Sequence, residues 1–243
     1  MNLETFCDEF LAARGKDGAA IVRILKNARD CLRTATESDW DWLKRALLDS
    51  RQKWFVVAVF YKHSLPKRLF SSMIAAAVHE TNPSLNKQFV LPCIASYDHR
   101  KVNESLLEIF ETGSNFEKAG AANALYWAQV PLSFPPDTKE FTPQNAKPQG
   151  RTAYLELDDI WNRRRCLYLK EFVTNEDIDV RRSIIPSLNL DPANYPVDLR
   201  PLIAEAIRIA RAHPDDYIRH RVEVQLGECK LLHPLPHRAS GPG

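Results

Sequence analysis

Asn175-Glu176-Asp177-Ile178-Asp179-Val180-Arg181, followed by Ile184 and Leu188, aligns without gaps on a second segment. That segment is His213-Pro214-Asp215-Asp216-Tyr217-Ile218-Arg219, followed by Val222 and Leu226, at an offset of 38 residues. Each copy reads as a turn, an aspartate in the first turn of a helix, an aliphatic residue, an arginine, and then apolar residues at helical spacing. Aspartate suits that place because it caps backbone N–H groups and meets the positive end of the helix dipole. A weaker copy spans Thr112 to Leu125, with Lys118 in the arginine position and Ala121 and Ala124 as its small apolar residues.

Helical periodicity extends outward from these copies over most of the chain. Leu3, Phe6, Phe10 and Leu11 share one face, and Ile21, Val22, Leu25, Ala28 and Leu32 share another after the turn at Gly15–Gly18. Ser38 is the expected N-cap of a third helix carrying Trp40, Leu43 and Leu47. The stretch 51–62 is apolar almost all round, which predicts a helix packed between neighbours. Pro66 suits the first turn of a helix running to Glu80. Asn82-Pro83-Ser84 is read as the start of the next, with a kink expected at Pro92. Residues 101–112 are amphipathic and stop at Gly113, and Ser114-Asn115-Phe116-Glu117 forms a capping box. The small residues of Ala119-Gly120-Ala121-Ala122 allow close helix approach.

Residues 130–152 break the rhythm with Pro131, Pro135, Pro136, Pro143 and Pro148 and are read as irregular. Helical patterns resume at 154–173, 177–189, 197–212 and 215–232, and the tail from His233 is rich in proline and glycine. The expected organisation is N-terminal helical repeats over 1–130, a proline-rich insert over 131–153, C-terminal repeats over 154–232 and a flexible tail over 233–243. All belong to one continuous solenoid.

Composition agrees with an all-α chain. Of 243 residues, 8 are glycine, hairpin dipeptides are nearly missing, and no stretch of strict alternation supports strands. Lys and Arg number 33 against 31 Asp and Glu, leaving +2, too little for a long-range field that would attract nucleic acid or an anionic membrane. Five scattered cysteines without a Cys-x-x-Cys pair predict neither a disulfide framework nor a zinc ribbon, and point to a reducing cytoplasm. The longest apolar run, Trp54 to Tyr61, is shorter than the roughly 20 residues of a membrane span. The acidic N-terminal stretch does not read as a secretory signal.

About twelve helices make six antiparallel pairs, or about 40 residues per pair, the period of helical-hairpin solenoids. The repeated segments resemble the second helix of HEAT repeats, in which an Asp-Pro-Asp type of turn leads into a Val-Arg pair and an Ala-Leu ending. The resemblance covers about Leu155 to Gly227 well and Thr112 to Leu125 fairly. It implies an α-α superhelix whose second helices line a concave, partner-binding face. It also implies a ladder between repeats, here with Arg181, Arg219, Asp177 and Asp215. The family's turn aspartate is replaced by Asn175 and His213.

This reading makes the chain a non-enzymatic scaffold or regulator that binds a protein partner in the cytoplasm. Arg182, His220 and Arg221, together with Tyr126 and Trp127, are the candidate partner-binding residues. The alternative is nucleic-acid binding or a DNA-repair glycosylase of HEAT-like type, with Trp40, Trp42, Tyr126, Trp127 and Trp161 as a stacking platform. No catalytic motif, cofactor or metal site is expected. His79-Glu80 lacks the second histidine of a zincin motif, and two prolines separate His233 from His237.

Overall fold

Side-chain caps open seven of the helices in the computed structural model, which describes residues 2–227. Asn2, Asp17, Asp98, Asp177 and Asp215 each accept a backbone N–H in the first turn of the helix they precede. Ser114 and Glu117 form the reciprocal capping box expected from their spacing. A second box, Thr36 with Asp39, opens the third helix, so the cap lies two residues before the expected Ser38. Asp39 is the reason: its carboxylate reaches back to the Thr36 N–H at 2.8 Å.

The described residues hold 13 α-helices and no strand. They are α1 Leu3–Ala13, α2 Gly18–Leu32, α3 Glu37–Ala46, α4 Lys53–Phe60, α5 Lys67–His79, α6 Lys87–Tyr97, α7 His99–Thr112 and α8 Asn115–Trp127. Then come α9 Pro148–Leu155, α10 Asp158–Thr174, α11 Ile178–Ile184, α12 Arg200–Ala212 and α13 Asp216–Gln225. None of them is long and apolar enough to cross a membrane. The chain divides into two units between Leu167 and Tyr168, inside α10.

Several boundaries differ from expectation for local reasons. Residues 82–86 form a turn before α6, with Asn82 bound to Ser84 N–H and to the Glu80 carboxylate. The α6 helix then runs through Pro92, whose ring is buried. The proline-rich stretch ends in α9, because Pro148 at the first turn fixes a helical φ and lacks only an N–H that would be unpaired there anyway. The helix expected over 177–189 stops at Ile184, and a 3₁₀ turn holds Pro186. Gly113 has φ −77°, so no left-handed turn requires it. Its need is steric, since a Cβ there would lie 2.6 Å from the Ile109 carbonyl oxygen. The helix expected over 215–232 is seen as α13 and stops at Gln225, with Leu226 as its C-cap; the tail from His233 lies outside the described residues.

In the first unit, α1 packs on α2, α5 on α6, and α7 on α8. Beyond these pairs, α2 meets α4, α4 meets α6, and α6 meets α8, while α3 meets α5 and α5 meets α7. The apolar α4 is enclosed as its sequence predicts: it contacts α1, α2, α3 and α6, and Phe55, Val56, Val57, Val59 and Phe60 are buried. The α8 helix also lies directly on α5, where Gly120 meets the Val78 backbone. In the second unit α12 packs on α13, and α11 reaches α13.

A Cβ at Gly120 would sit 1.9 Å from the Val78 carbonyl oxygen, so backbone would have to move. Gly120→Ala is therefore expected to lose about 1–3 kcal/mol, the scale of overpacking in a filled core. At Gly18 an added Cβ meets nothing within 4 Å, and Gly18→Ala should be neutral or stabilising by a few tenths of a kcal/mol. Urea titration of the two variants checks the contrast.

Candidate functional site

A concave surface in the first unit is built from α1, α2, α4 and the start of α6. The α4 helix places Trp54, Ala58 and Tyr61 along one stripe, at i, i+4 and i+7. Phe10 and Arg14 border them from α1, Leu25 and Arg29 from α2, and Leu85 and Gln88 from the α6 side. The groove encloses about 410 Å³, within the range of sites that take a side chain or a small ligand. Tyr61 is 57% exposed at its edge.

Two polar contacts tie α4, which carries this surface, to its neighbours. The Arg29 Nε donates to the Val59 carbonyl at 2.8 Å and its Nη2 to Ala58 at 3.2 Å, so one guanidinium closes the last turn of α4. Lys53 pairs with Glu80 at 2.7 Å, and the two side chains are only 16% and 6% exposed. The Lys53 ammonium also lies 5.2 Å from the Trp54 ring centre and 5.8 Å from that of Phe89. Removing either partner would leave a charge poorly solvated.

Tyr126 and Trp127 stand at the end of α8. Tyr126 is exposed and meets Trp127 edge-on at 5.2 Å. Trp127 is fixed: its indole N–H donates to the Pro83 carbonyl at 2.7 Å, and the Lys87 ammonium lies over the ring at 5.3 Å. The other tryptophans are occupied in similar ways. Arg68 lies over Trp40, Arg14 over Trp54 and Arg164 over Trp161, while Trp42 packs edge-on against Phe55. Of the five rings of the expected platform, Trp161 is buried and Tyr126 is exposed.

In the second unit the repeated segments match at their turns. Asp177 accepts from Val180 N–H and Asp215 from Ile218 N–H, both at 3.0 Å. One step earlier, Asn175 Oδ1 accepts from Asp177 N–H at 2.9 Å and His213 Nδ1 from Asp215 N–H at 3.1 Å. Asn175 and His213 thus do the same work at equivalent positions of the two segments, holding the turn that aims the cap.

The arginines diverge from the expected ladder. The buried Arg181 donates its Nε to the Phe172 carbonyl at 3.2 Å and lies over the Phe172 ring. Arg219 instead bonds the His213 carbonyl and pairs with Asp216. The ion pair between the copies is made by the next residue, Arg182, whose guanidinium holds Asp215. That contact keeps the Asp215 carboxyl below the usual carboxylate range. Arg182 is thereby engaged within the chain, although its side chain is 48% exposed. The Arg221 Nε is buried without a hydrogen-bond partner, and His220 is exposed on α13.

Neighbouring charges pair both at helical spacing and between elements. Arg208 pairs with Glu205 and Arg211 with Glu223. Arg163 pairs with Glu111 and Asp159 with Arg100. Asp158 accepts from Asn162.

Chemically reactive groups are muted. Burial pushes the Cys7 thiol up to about 11 and Cys93 up to about 12, so both remain protonated. Among the described residues no three His, Cys, Asp or Glu side chains converge as a metal site. His233 and His237 lie outside the described residues. Comparison with protein-family models, curated proteins and solved structures finds no match to the chain.

The α4 groove was not singled out from sequence. Its signal is the Trp54, Ala58, Tyr61 stripe, which is hidden in a helix that is apolar on every side.

His213 carries a pH dependence. Burial first, and then the Arg181 guanidinium, push its imidazole below the ordinary value. The Nδ1 atom must also stay unprotonated to accept from Asp215 N–H. The unfolded chain therefore takes the proton first, so this stability is present above about pH 6.5 and is lost as pH falls through the lower folded value. His213→Asn copies the Asn175 solution. Urea midpoints at about pH 7.5 and pH 5 should show a smaller acid loss for that variant than for the natural chain.

Proposed function

We propose that the chain is a HEAT-like helical-repeat protein that acts by binding a protein partner and not by catalysis. The stacking reading is supported by the succession of α2, α4, α6 and α8, which meet in order as second helices of stacked pairs do. The equivalent turns at Asn175–Val180 and His213–Ile218 support it in the second unit. In this reading the partner lies along the face of α2, α4 and α6.

The observation that carries the proposal is the groove around Trp54 and Tyr61. It offers an apolar, aromatic-lined concavity with one exposed tyrosine, walled by Arg14 and Arg29. Aromatic residues beside arginine, on a rigid base, are the composition of energetic centres in protein interfaces. The alternative of nucleic-acid binding has the same residue types in its favour. Against it, the tryptophan faces that bases would need already carry the chain's own cations, and the net charge is small.

A photo-crosslinking residue at Tyr61, with a control at exposed Arg45 on α3, tests the reading in lysate of the source cell. Discrete protein adducts are expected from position 61, weakened about tenfold or more by Trp54→Ala, as for loss of a central aromatic anchor. Equal adducts from both positions, or adducts that vanish on nuclease treatment, contradict it.

A further inference from the structure

A larger groove lies on another surface of the first unit, where α2 ends beside the loop joining α4 to α5. It encloses about 650 Å³. Its apolar lining includes Val59, Phe60 and Pro66, with Trp40 at one side. Lys26 and Arg33 come from α2 and His63 from the loop. Lys62 adopts φ 58°, a conformation that non-glycine side chains rarely take. It lies inside a tight turn, closed by His63 N–H on the Phe60 carbonyl at 3.0 Å, that sets His63 at the groove. Backbone in such a region marks a segment held in place by its surroundings.

The groove carries a net positive charge. Lys26, Arg29 and Arg33 against Asp30 leave +2 with His63 neutral, which equals the net charge of all 243 residues. Asp30 neutralises little, since it lies 3.5 Å from Arg33 and both side chains are more than half exposed. Arg29 is pinned on α4's carbonyls, so its charge is fixed in position before any partner arrives.

We propose that this groove docks an acidic peptide segment of a protein partner. An apolar side chain of the segment sits against Pro66 and Trp40, and flanking carboxylates meet Lys26 and Arg33. Charge complementarity selects the occupant, and the apolar lining selects a peptide over a phosphate strand. A nucleic acid would need an open ring and a row of cations. Here Arg68, held by Glu37 at 2.6 Å, already lies 4.9 Å from the Trp40 ring centre. The proposal rests on the reading of the chain as a protein-binding module and adds a second contact away from Tyr61.

Fluorescence anisotropy of the full chain at low salt tests it. The probe is a short fluorescein-labelled peptide of Glu and Asp with Leu and Phe spaced at helical intervals. Controls are the same peptide with Gln and Asn, and a labelled single-stranded oligonucleotide. The acidic peptide is expected to bind, and its affinity to fall at least about tenfold with Lys26→Glu plus Arg33→Glu, or with neutralisation of the peptide. Both residues are exposed, so the melting temperature should not move. The milder pair Lys26→Gln with Arg33→Gln should show a smaller loss in the same direction. Arg45→Ala, at an exposed position on α3, should leave this binding unchanged. Failure of the acidic peptide to bind, binding indifferent to the charge reversal, or tighter binding of the oligonucleotide overturns the proposal. Crosslinking from Tyr61 that persists in those cases sinks only this groove and leaves the protein-binding reading standing.

Discussion

A helix that ends inside a packed protein leaves carbonyl groups that water cannot reach, and each needs a donor. In this chain the donors come from side chains of neighbouring elements. Arg29 on α2 serves the last turn of α4. Asn86, just before α6, serves Ala77 and Glu80 at the end of α5. Asn103 on α7 donates to Ala128 at the end of α8 at 2.9 Å, and Arg181 on α11 serves Phe172 in the last turn of α10. Both asparagines are fully buried and spend their amide N–H groups on these carbonyls, while each Oδ1 finds no partner. That imbalance shows which end of the amide matters. The same α5 terminus takes the closest backbone approach, Gly120 over Val78, so donor and glycine act on one turn.

These ties explain why the surfaces beside them hold their shape. Arg29 lines the aromatic groove and the basic groove alike. By fixing the end of α4 it sets Tyr61 on one side and the Lys62-His63 turn on the other. The aromatic groove and the basic groove are in this sense two faces of one capped helix end. Arg182 plays a related part in the second unit by joining α11 to the Asp215 cap of α13.

Much of the helical framework was legible in the sequence because caps and periodicity are local. The Ser114–Glu117 box and the Asp177 and Asp215 caps depend on residues three or fewer positions apart, and they stand where the spacing put them. Thr36 was missed in favour of Ser38, since two hydroxyls compete and only the reach of Asp39 decides between them. The Arg182–Asp215 pair spans 33 residues and Arg29 to Val59 spans 30, separations that no local pattern reports. The repeat alignment pointed to Arg181 because it marks equivalent positions, and equivalent positions can make different contacts. The α4 groove was invisible for another reason: Trp54 and Tyr61 differ from core aromatics only in what packs over them.

The most direct test of the donor-capped framework is the equilibrium urea stability of Asn86→Leu. Leucine matches asparagine closely in shape but donates nothing, so the Ala77 and Glu80 carbonyls at the end of α5 are left without a donor. A loss on the order of 1–3 kcal/mol is expected from orphaning buried carbonyls. A stability equal to or above that of the natural chain would mean that the apolar replacement fits as well as the amide, and would contradict the account.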